Sequence, residues 1–217
     1  MTKDERAELV ELWRQRAALV RTEGDMSRRI SALAGRIKKS IDDPIVTTAA
    51  APFVSARTSI HSSRKALESR IRALVRRDPI WPWVKALPGL AELGFACILA
   101  EAGGDLLAYP THSKLWKRMG LSVSEDGQAQ RRRRGAAGEL EGYSPRRRAA
   151  SHTVASALFR IQSINRGQYR QIYDVRKAYE ESRTLSRQHA HARAMRYMEK
   201  RVLRDLWRAA RQSHGGQ

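Results

Sequence analysis

Serine side chains close to runs of arginine are the residues whose types and spacing best fit a chemical reaction. Ser122, Ser124 and Ser144 flank or lie in a stretch with two such runs. A serine hydroxyl becomes a nucleophile when its pKa is lowered, and guanidinium groups can hold the phosphate that it attacks. The pattern predicts Ser124 or Ser144 as the nucleophile of a DNA strand-transfer reaction. The alternative is that these serines are polar loop residues.

Residues able to bind a metal ion are few and scattered along the sequence. The candidates are Glu101 with Asp105, and His189 with His191. Two residues that lie two apart on a helix point in different directions, and a carboxylate after two glycines fits a turn or a helix end. The sequence also has no Walker-type phosphate loop, dinucleotide motif or nucleophile elbow. We therefore predict neither a metal site nor a cofactor.

The charge of the chain favours a polyanionic partner. The 217 residues include 42 Lys plus Arg and 22 Asp plus Glu, for a formal net charge of +20. Nucleic acid and an acidic membrane both fit this surplus, and the planar fork of arginine favours nucleic acid. The predicted nucleic-acid-binding residues are Arg131, Arg132, Arg133, Arg134, Arg146, Arg147, Arg148, Arg193, Arg196, Lys200, Arg204 and Arg208.

Residues 1–77 are predicted to form a helical arm. Apolar side chains recur at steps of three and four over residues 4–41, with Gly24 as a candidate interruption, and again over residues 60–75. A break around Pro44 and Pro52 separates the two stretches. They can fold back as an antiparallel hairpin or pair between chains, and we predict a homodimer or higher oligomer.

Residues 78–217 are predicted to form a second helical domain. Prolines 79 and 82 end the arm, and a helix, turn, helix arrangement follows with its hairpin at Pro88, Gly89, Leu90 and Gly94. The amides of this hairpin are candidates for contact with a phosphate. A basic loop is predicted over residues 122–150. The last helix is predicted to have an apolar face formed by Met195, Met198, Val202 and Leu206. The opposite face is a basic stripe formed by Arg193, Arg196, Lys200, Arg204, Arg208 and Arg211.

Several protein classes are excluded by composition. Cys97 is the only cysteine, which excludes an internal disulfide framework and a zinc module with several cysteines. The acidic N-terminus is unlike a signal peptide, and no stretch reaches the length of apolar residues that spans a bilayer. We expect a cytoplasmic, nucleoid-associated protein of bacterial or phage origin, without a membrane partner.

Part of the second domain resembles the C-terminal half of the DEDD-type, bridge-RNA-guided insertion-sequence transposases. The residues that carry the resemblance are Leu87, Pro88, Gly89 and Leu90, Ala100 with Glu101, Gly104 with Asp105, Leu115, and Gly120 with Leu121. Ser144 lies where that family has a short Ser-Lys-x-Gly element, and Ala194 to Trp207 resembles its closing helix. The resemblance covers about residues 80–211, and it implies that the preceding arm is similar to the family's coiled coil.

The sequence departs from this family at the places where its chemistry resides. Asp126 and Gly127 stand where the family has a Ser-Gly step, and Ala91 replaces a glycine of the hairpin. In the family an acidic RuvC-like half precedes the arm, and we expect this protein to act without one of its own. The departures favour a DNA-binding derivative over an autonomous transposase.

Three functions remain open from the sequence. The first is an all-α DNA-binding protein related to transposases, with a coiled-coil-like arm and a helix-hairpin-helix-containing domain, which grips phosphates with its arginines and has no independent enzymatic activity. The second is a serine-dependent recombinase or transposase subunit that obtains its acidic half from another protein, with structured RNA as a further partner. The third is an RNA-binding or virion-associated structural protein.

Overall fold

A computed structural model of the chain describes residues 1–123, 127, 129, 130, 142–183 and 185–215. Over these residues the protein is all-helical, which confirms the predicted fold class. Its only extended pairing within the described part is an isolated antiparallel bridge between Val123 and Ala129. The helices are α1 (Lys3–Ile37), α2 (Pro44–Val75), α3 (Trp81–Lys85), α4 (Glu92–Ala102), α5 (His112–Arg118), α6 (Pro145–Asn165), α7 (Gln168–Glu181) and α8 (Arg187–Gly215).

The chain divides into two compact units. One consists of residues 11–73, and the other consists of residues 1–10 together with residues 74–217. The boundaries therefore fall inside α1 and α2, whereas the sequence predicted a single boundary at residues 77 and 78. The oligomerisation predicted for residues 1–77 stays a prediction.

Within the smaller unit, α1 and α2 pack as an antiparallel pair. Arg16 Nε donates to Glu68 Oε1 at 2.8 Å, and Arg64 Nε donates to Glu23 Oε2 at 2.8 Å, so positions early in α1 face positions late in α2. Glu68 is buried, and the ion pairs hold the pKa of its carboxyl below the ordinary value although burial by itself raises it. This is the hairpin alternative of the sequence analysis, formed within one chain.

The expected break between the two helical stretches lies at residues 38–43, with α2 beginning at Pro44, but the interruptions expected at Gly24 and Pro52 do not occur. α1 continues through Gly24, where a glycine costs a helix only about 1 kcal/mol relative to alanine, and the neighbouring Glu23 is held by its ion pair with Arg64. α2 continues through Pro52, an exposed position, while the buried Val46 and Ala50 anchor that part of the helix. Packing of the flanking turns therefore outweighs local helix-breaking preference.

The larger unit is built around α4 and α8. Every residue of α4 from Phe95 to Ala102 is buried, and α4 packs against α6. α8 packs against α5, α6 and α7, and its predicted apolar face is buried as expected at Met195, Met198, Val202 and Leu206. Because α8 packs against α7, part of the basic stripe of α8 lies next to residues of α7.

The predicted hairpin is a turn between α3 and α4 that packs against α6. Gly89 has a φ of 94°, and a Cβ added there would lie 2.9 Å from the Cα of Leu158. The carbonyl oxygen of Pro88 accepts a hydrogen bond from Gln162 Nε2 at 3.0 Å, and Leu90 is buried. Gly94 lies in the first turn of α4 near Leu90. The glycine therefore serves close helix packing here, and the predicted phosphate contact of this turn stays a prediction.

Candidate nucleic-acid interface

A basic cleft of about 860 Å³ lies between α7, α8 and the segment around the Val123–Ala129 bridge. Of the predicted binding residues, Arg193, Arg196 and Lys200 line it. Arg176 of α7 joins them, and Glu180 is the one carboxylate among the described lining residues. The other lining residues are Val123, Gly127, Ala129, Gln130, His189 and Tyr197.

Two cations of the cleft are partly withdrawn from water. Arg196 Nη2 donates to the carbonyl oxygen of Ser122 at 2.9 Å, while its Nε is buried with no hydrogen-bond partner among the described residues. Burial lowers the pKa of Arg196, and the nearby charge of Arg148 lowers it further. Burial and the charge of Arg196 likewise lower the pKa of Lys200. Crowded, poorly hydrated cations of this kind are stabilised by a bound anion.

Glu180 connects the two helices that form the cleft. Its carboxylate is fully buried, accepts a hydrogen bond from Arg176 and lies 3.2 Å from Arg193 Nη1. Burial alone raises the pKa of Glu180, but the hydrogen bonds from the two arginines outweigh it, so the pKa lies below its ordinary value. Glu180 therefore stays ionised and holds Arg176 of α7 and Arg193 of α8 at one carboxylate.

The second predicted arginine run begins α6 and has mostly internal partners. Ser144 caps this helix by accepting from the backbone N–H of Arg147 at 3.4 Å, and Pro145 occupies its first turn, so the basic segment is helical from here onward. Arg147 donates to the carbonyl oxygen of Arg118 at 3.3 Å, and burial lowers its pKa. Arg146 is the most exposed of the run and lies 3.0 Å from Glu101 Oε2.

Arg148 belongs to a buried polar cluster around Glu199. Its guanidinium makes two hydrogen bonds to the Glu199 carboxylate, at 2.5 and 3.2 Å. Ser151 Oγ and His152 Nδ1 also reach this carboxylate, at 3.4 and 3.0 Å. His152 Nε2 lies 3.5 Å from Ser156 Oγ, so Ser156, His152 and Glu199 follow one another as in a serine catalytic triad. Arg148, however, bonds to both Glu199 oxygens, which makes Glu199 a structural partner of the arginine. The cluster therefore joins α6 to α8, and this role was not anticipated from the sequence.

The remaining predicted residues lie apart from the cleft or outside the described residues. Arg204 pairs with Asp205 at 2.9 Å, Arg208 is exposed, and both lie further along α8. Ser122 Oγ donates to Gln130 Oε1 at 2.7 Å. Ser124 and Arg131, Arg132, Arg133 and Arg134 lie outside the described residues.

The candidate metal ligands are used in structural contacts. Asp105 pairs with Arg6 at 2.7 Å and accepts from the backbone N–H of Leu107, as expected for a turn residue. His191 Nδ1 lies 2.6 Å from the hydroxyl of Tyr173, whereas His189 lines the cleft. Within the described part of the chain no three His, Cys, Asp or Glu side chains cluster as metal ligands. None of the described helices is long and apolar enough to cross a membrane.

Arg176 and Tyr197 are cleft residues that sequence reasoning missed. The available signal was the spacing of Arg176 with Tyr179 and of Tyr197 with Arg201, because residues three or four apart on a helix lie side by side. Basic residues interleaved with aromatic ones at that spacing favour nucleic-acid contact over a merely solvated face.

Comparison with known proteins gives one partial relationship. A segment of 70 residues is 33% identical to the insertion element IS110 uncharacterized 43.6 kDa protein of Streptomyces coelicolor. The segment is 32% of this chain and spans 17% of the length of that relative. No family model matches the chain, and no solved structure matches it. The weak homology supports a transposase-like relationship.

Proposed function

We propose that this chain is a nucleic-acid-binding protein, related to transposases through the C-terminal half of that family, which binds the phosphates of DNA in the cleft between α7 and α8. The observation that carries the proposal is that Arg176, Arg193, Arg196 and Lys200 line one cleft whose described lining holds a single carboxylate, the buried Glu180. Their charge exceeds what Glu180 neutralises, and DNA supplies dense negative charge. The partial homology to an insertion-element protein supports the same function.

The test is a titration of labelled duplex DNA with the full chain at several salt concentrations. If about eight cations reach phosphates, the four of the cleft among them, the logarithm of the binding constant falls with the logarithm of salt at a slope of about −7, from about 0.9 per contact. A slope near zero would overturn the proposal. The Arg193→Gln, Lys200→Gln double variant is expected to reduce the slope by about 1.8, since two phosphate contacts are lost.

A matched control removes the same charge elsewhere. Lys114 and Arg160 are exposed on α5 and α6 and do not line the cleft. The Lys114→Gln, Arg160→Gln double variant is expected to keep the slope of the unmodified chain. Equal slopes for the two double variants would show that binding follows net charge alone and would contradict the cleft as the binding site.

The relationship to an insertion-element protein also favours a second candidate function, DNA strand transfer through a serine that acts together with a RuvC-like acidic domain. Its signature is a covalent protein–DNA adduct that survives denaturation and is abolished by changing one serine. Ser144→Asn is the informative variant, because asparagine keeps the helix cap and cannot act as the nucleophile. Ser124→Ala tests the other candidate. Adducts that persist in both variants would eliminate this function.

We also infer that residues 1–77 bring two copies of the chain together. Apolar side chains remain exposed on α1 and α2 and between them, at Val20, Ile41, Ile45 and Val54. Burying them in a second copy is favourable, as in other paired helices. Sedimentation equilibrium is expected to give at least twice the 24.6 kDa chain mass, and a monomer mass at high concentration would contradict the inference.

A further inference from the structure

A second groove of about 680 Å³ is lined by residues of α7 and α8 and shares Arg176 and Tyr197 with the basic cleft. Its other lining residues are Gln168, Gln171, Ile172, Val175, Tyr179 and Arg201. The two shared residues make the groove and the cleft neighbouring parts of one surface. A ligand bound in the cleft therefore reaches the groove without crossing another element.

Arginine and tyrosine side chains alternate along this groove. The Cζ of Arg176 lies 4.8 Å from the ring centroid of Tyr179 and 5.0 Å from that of Tyr197. The Cζ of Arg201 lies 4.9 Å from the Tyr197 ring, and its Nη2 donates to the hydroxyl of the same residue. We call Arg176, Tyr179, Tyr197 and Arg201 the Arg–Tyr ladder. Each ring is thus held in place by a guanidinium, at distances typical of cation–π contacts.

The ladder leaves aromatic and apolar surface in water. Tyr179 is 49% exposed, and Val175, one turn earlier on α7, is 74% exposed. The two exposed carboxylates of α7 are already paired with cations of their own helix, Asp174 with Arg170 at 2.8 Å and Glu181 with Lys177 at 3.6 Å. The ladder therefore combines positive charge with one exposed ring, that of Tyr179, and the complementary ligand is anionic and carries flat aromatic faces.

We propose that the Arg–Tyr ladder binds single-stranded nucleic acid, with an unpaired base stacked on Tyr179 and the adjoining phosphates in the basic cleft. Base faces are covered in a duplex and free in a single strand, and stacking platforms beside basic grooves are how proteins hold single strands without reading their sequence. The proposal rests on the proposed function, since the cleft supplies the phosphate contacts. It adds that the bound segment is unpaired.

The experiment compares Tyr179→Leu with Tyr179→Phe in the full chain. Leucine keeps apolar bulk and removes the ring, whereas phenylalanine keeps the ring and removes only the hydroxyl. Fluorescence anisotropy is measured with oligo(dT), oligo(rU) and a blunt duplex of the same length. Tyr179→Leu is expected to weaken binding of the single strands about tenfold, within the range measured for loss of one base–aromatic stack. Tyr179→Phe is expected to stay within about twofold for every probe.

Other results separate failure of the ladder from failure of the cleft. Equal weakening of single-stranded and duplex binding by Tyr179→Leu, or no weakening, would overturn the ladder as a single-strand site. A change in chain mass in that variant would overturn it too, because the groove would then hold a second copy. If Arg193→Gln with Lys200→Gln leaves binding of all probes unchanged, the proposed function itself fails. A loss confined to oligo(dT) or to oligo(rU) identifies which strand is the ligand and supports the ladder.

Discussion

Side-chain exposure and the number of contacts to a buried carboxylate distinguish a structural arginine of this chain from one that a ligand can reach. Arg148 and Arg193 both belong to the set predicted to bind phosphate, yet Arg148 is bonded twice to Glu199, whose side chain is 0% exposed. Arg193 has a 54% exposed side chain and makes a single longer contact to Glu180. The sequence alone cannot separate the two residues, because Glu199, the carboxylate that binds Arg148, lies 51 residues away in the chain.

The role of Arg148 leads to a stability prediction. Arg148→Ala is expected to lower the free energy of unfolding by about 3 kcal/mol, because the buried Glu199 then keeps only the half-exposed His152 as a charged partner. Urea denaturation followed by circular dichroism measures the loss. Arg160→Ala, at an exposed position of α6, serves as the control and is expected to change stability by less than about 0.5 kcal/mol.

The same cluster offers an internal check. Adding Glu199→Gln to Arg148→Ala is expected to restore part of the lost stability, because no buried charge then remains. If the double variant is less stable than Arg148→Ala by the full cost of a second independent change, the buried charge is not the cause of the loss.

His152 makes part of this stability depend on pH. The hydrogen bond with Glu199 raises the pKa of His152 above its ordinary value of 6.5, and burial offsets only part of the rise. The contribution is therefore fully present below about pH 6.5 and is lost as pH rises through the folded-state pKa. Because the side chain is 53% exposed, solvent screening keeps the effect below about 1 kcal/mol.

The corresponding measurement is the Tm of the unmodified chain minus that of His152→Gln at several pH values. The difference is expected to shrink from pH 6 to pH 8 as the imidazolium of His152 loses its proton. A difference that stays constant across this range, or one that grows with pH, would show that His152 does not contribute as a cation.

At the scale of elements, the turn between α3 and α4 depends on a residue without a side chain. Gly89→Ala is expected to destabilise the protein by about 3 kcal/mol, because the backbone has a positive φ and the new Cβ would lie 2.9 Å from backbone of α6. The control is Gly35→Ala in α1, where a Cβ meets nothing within 4 Å. That change is expected to stabilise the helix by about 0.5–1 kcal/mol. Thermal unfolding of both variants checks the opposite signs.

Helices were predictable from this sequence where their apolar residues repeat regularly. The periodic positions of α8 predicted its buried face, and Met195, Met198, Val202 and Leu206 are all buried. Prolines were a less reliable guide to helix ends, since α2 continues through Pro52. The predicted loop over residues 122–150 is also wrong at its end, because α6 begins at Pro145. Whether a proline ends or begins a helix depends on the packing of the flanking turns, which is a property of the tertiary structure.

The candidate interface was predictable only in part. The basic stripe of α8 identified Arg193, Arg196 and Lys200, because charge and helical spacing are visible in the sequence. The opposite wall was not, since Arg176 reaches the cleft through the packing of α7 on α8 and through Glu180. That two helices joined by a short connection pack together can be expected from the sequence. Which residues of α7 lie opposite which residues of α8 depends on side-chain contacts, and helical periodicity does not specify these.

At the scale of the whole molecule, a net charge of +20 works against the folded state. Like charges held in a compact chain repel one another, and salt screens them over a Debye length of about 10 Å at 0.1 M. DNA removes the same repulsion by supplying negative charge. Salt and DNA should therefore each raise the stability of this chain, while salt weakens its binding to DNA.

These opposing effects predict that DNA raises the Tm of the chain at low salt and leaves it unchanged at high salt. Without DNA, the Tm of the chain is expected to rise when salt is raised from about 50 mM to about 500 mM, because the repulsion is screened. With duplex DNA in excess, the Tm at low salt is expected to be higher than that of the free chain, since a ligand at about 100 times its Kd adds about 2.7 kcal/mol. At high salt the two curves should coincide, because the complex has dissociated. A Tm at low salt that DNA does not change would mean that the surplus of arginine serves another partner.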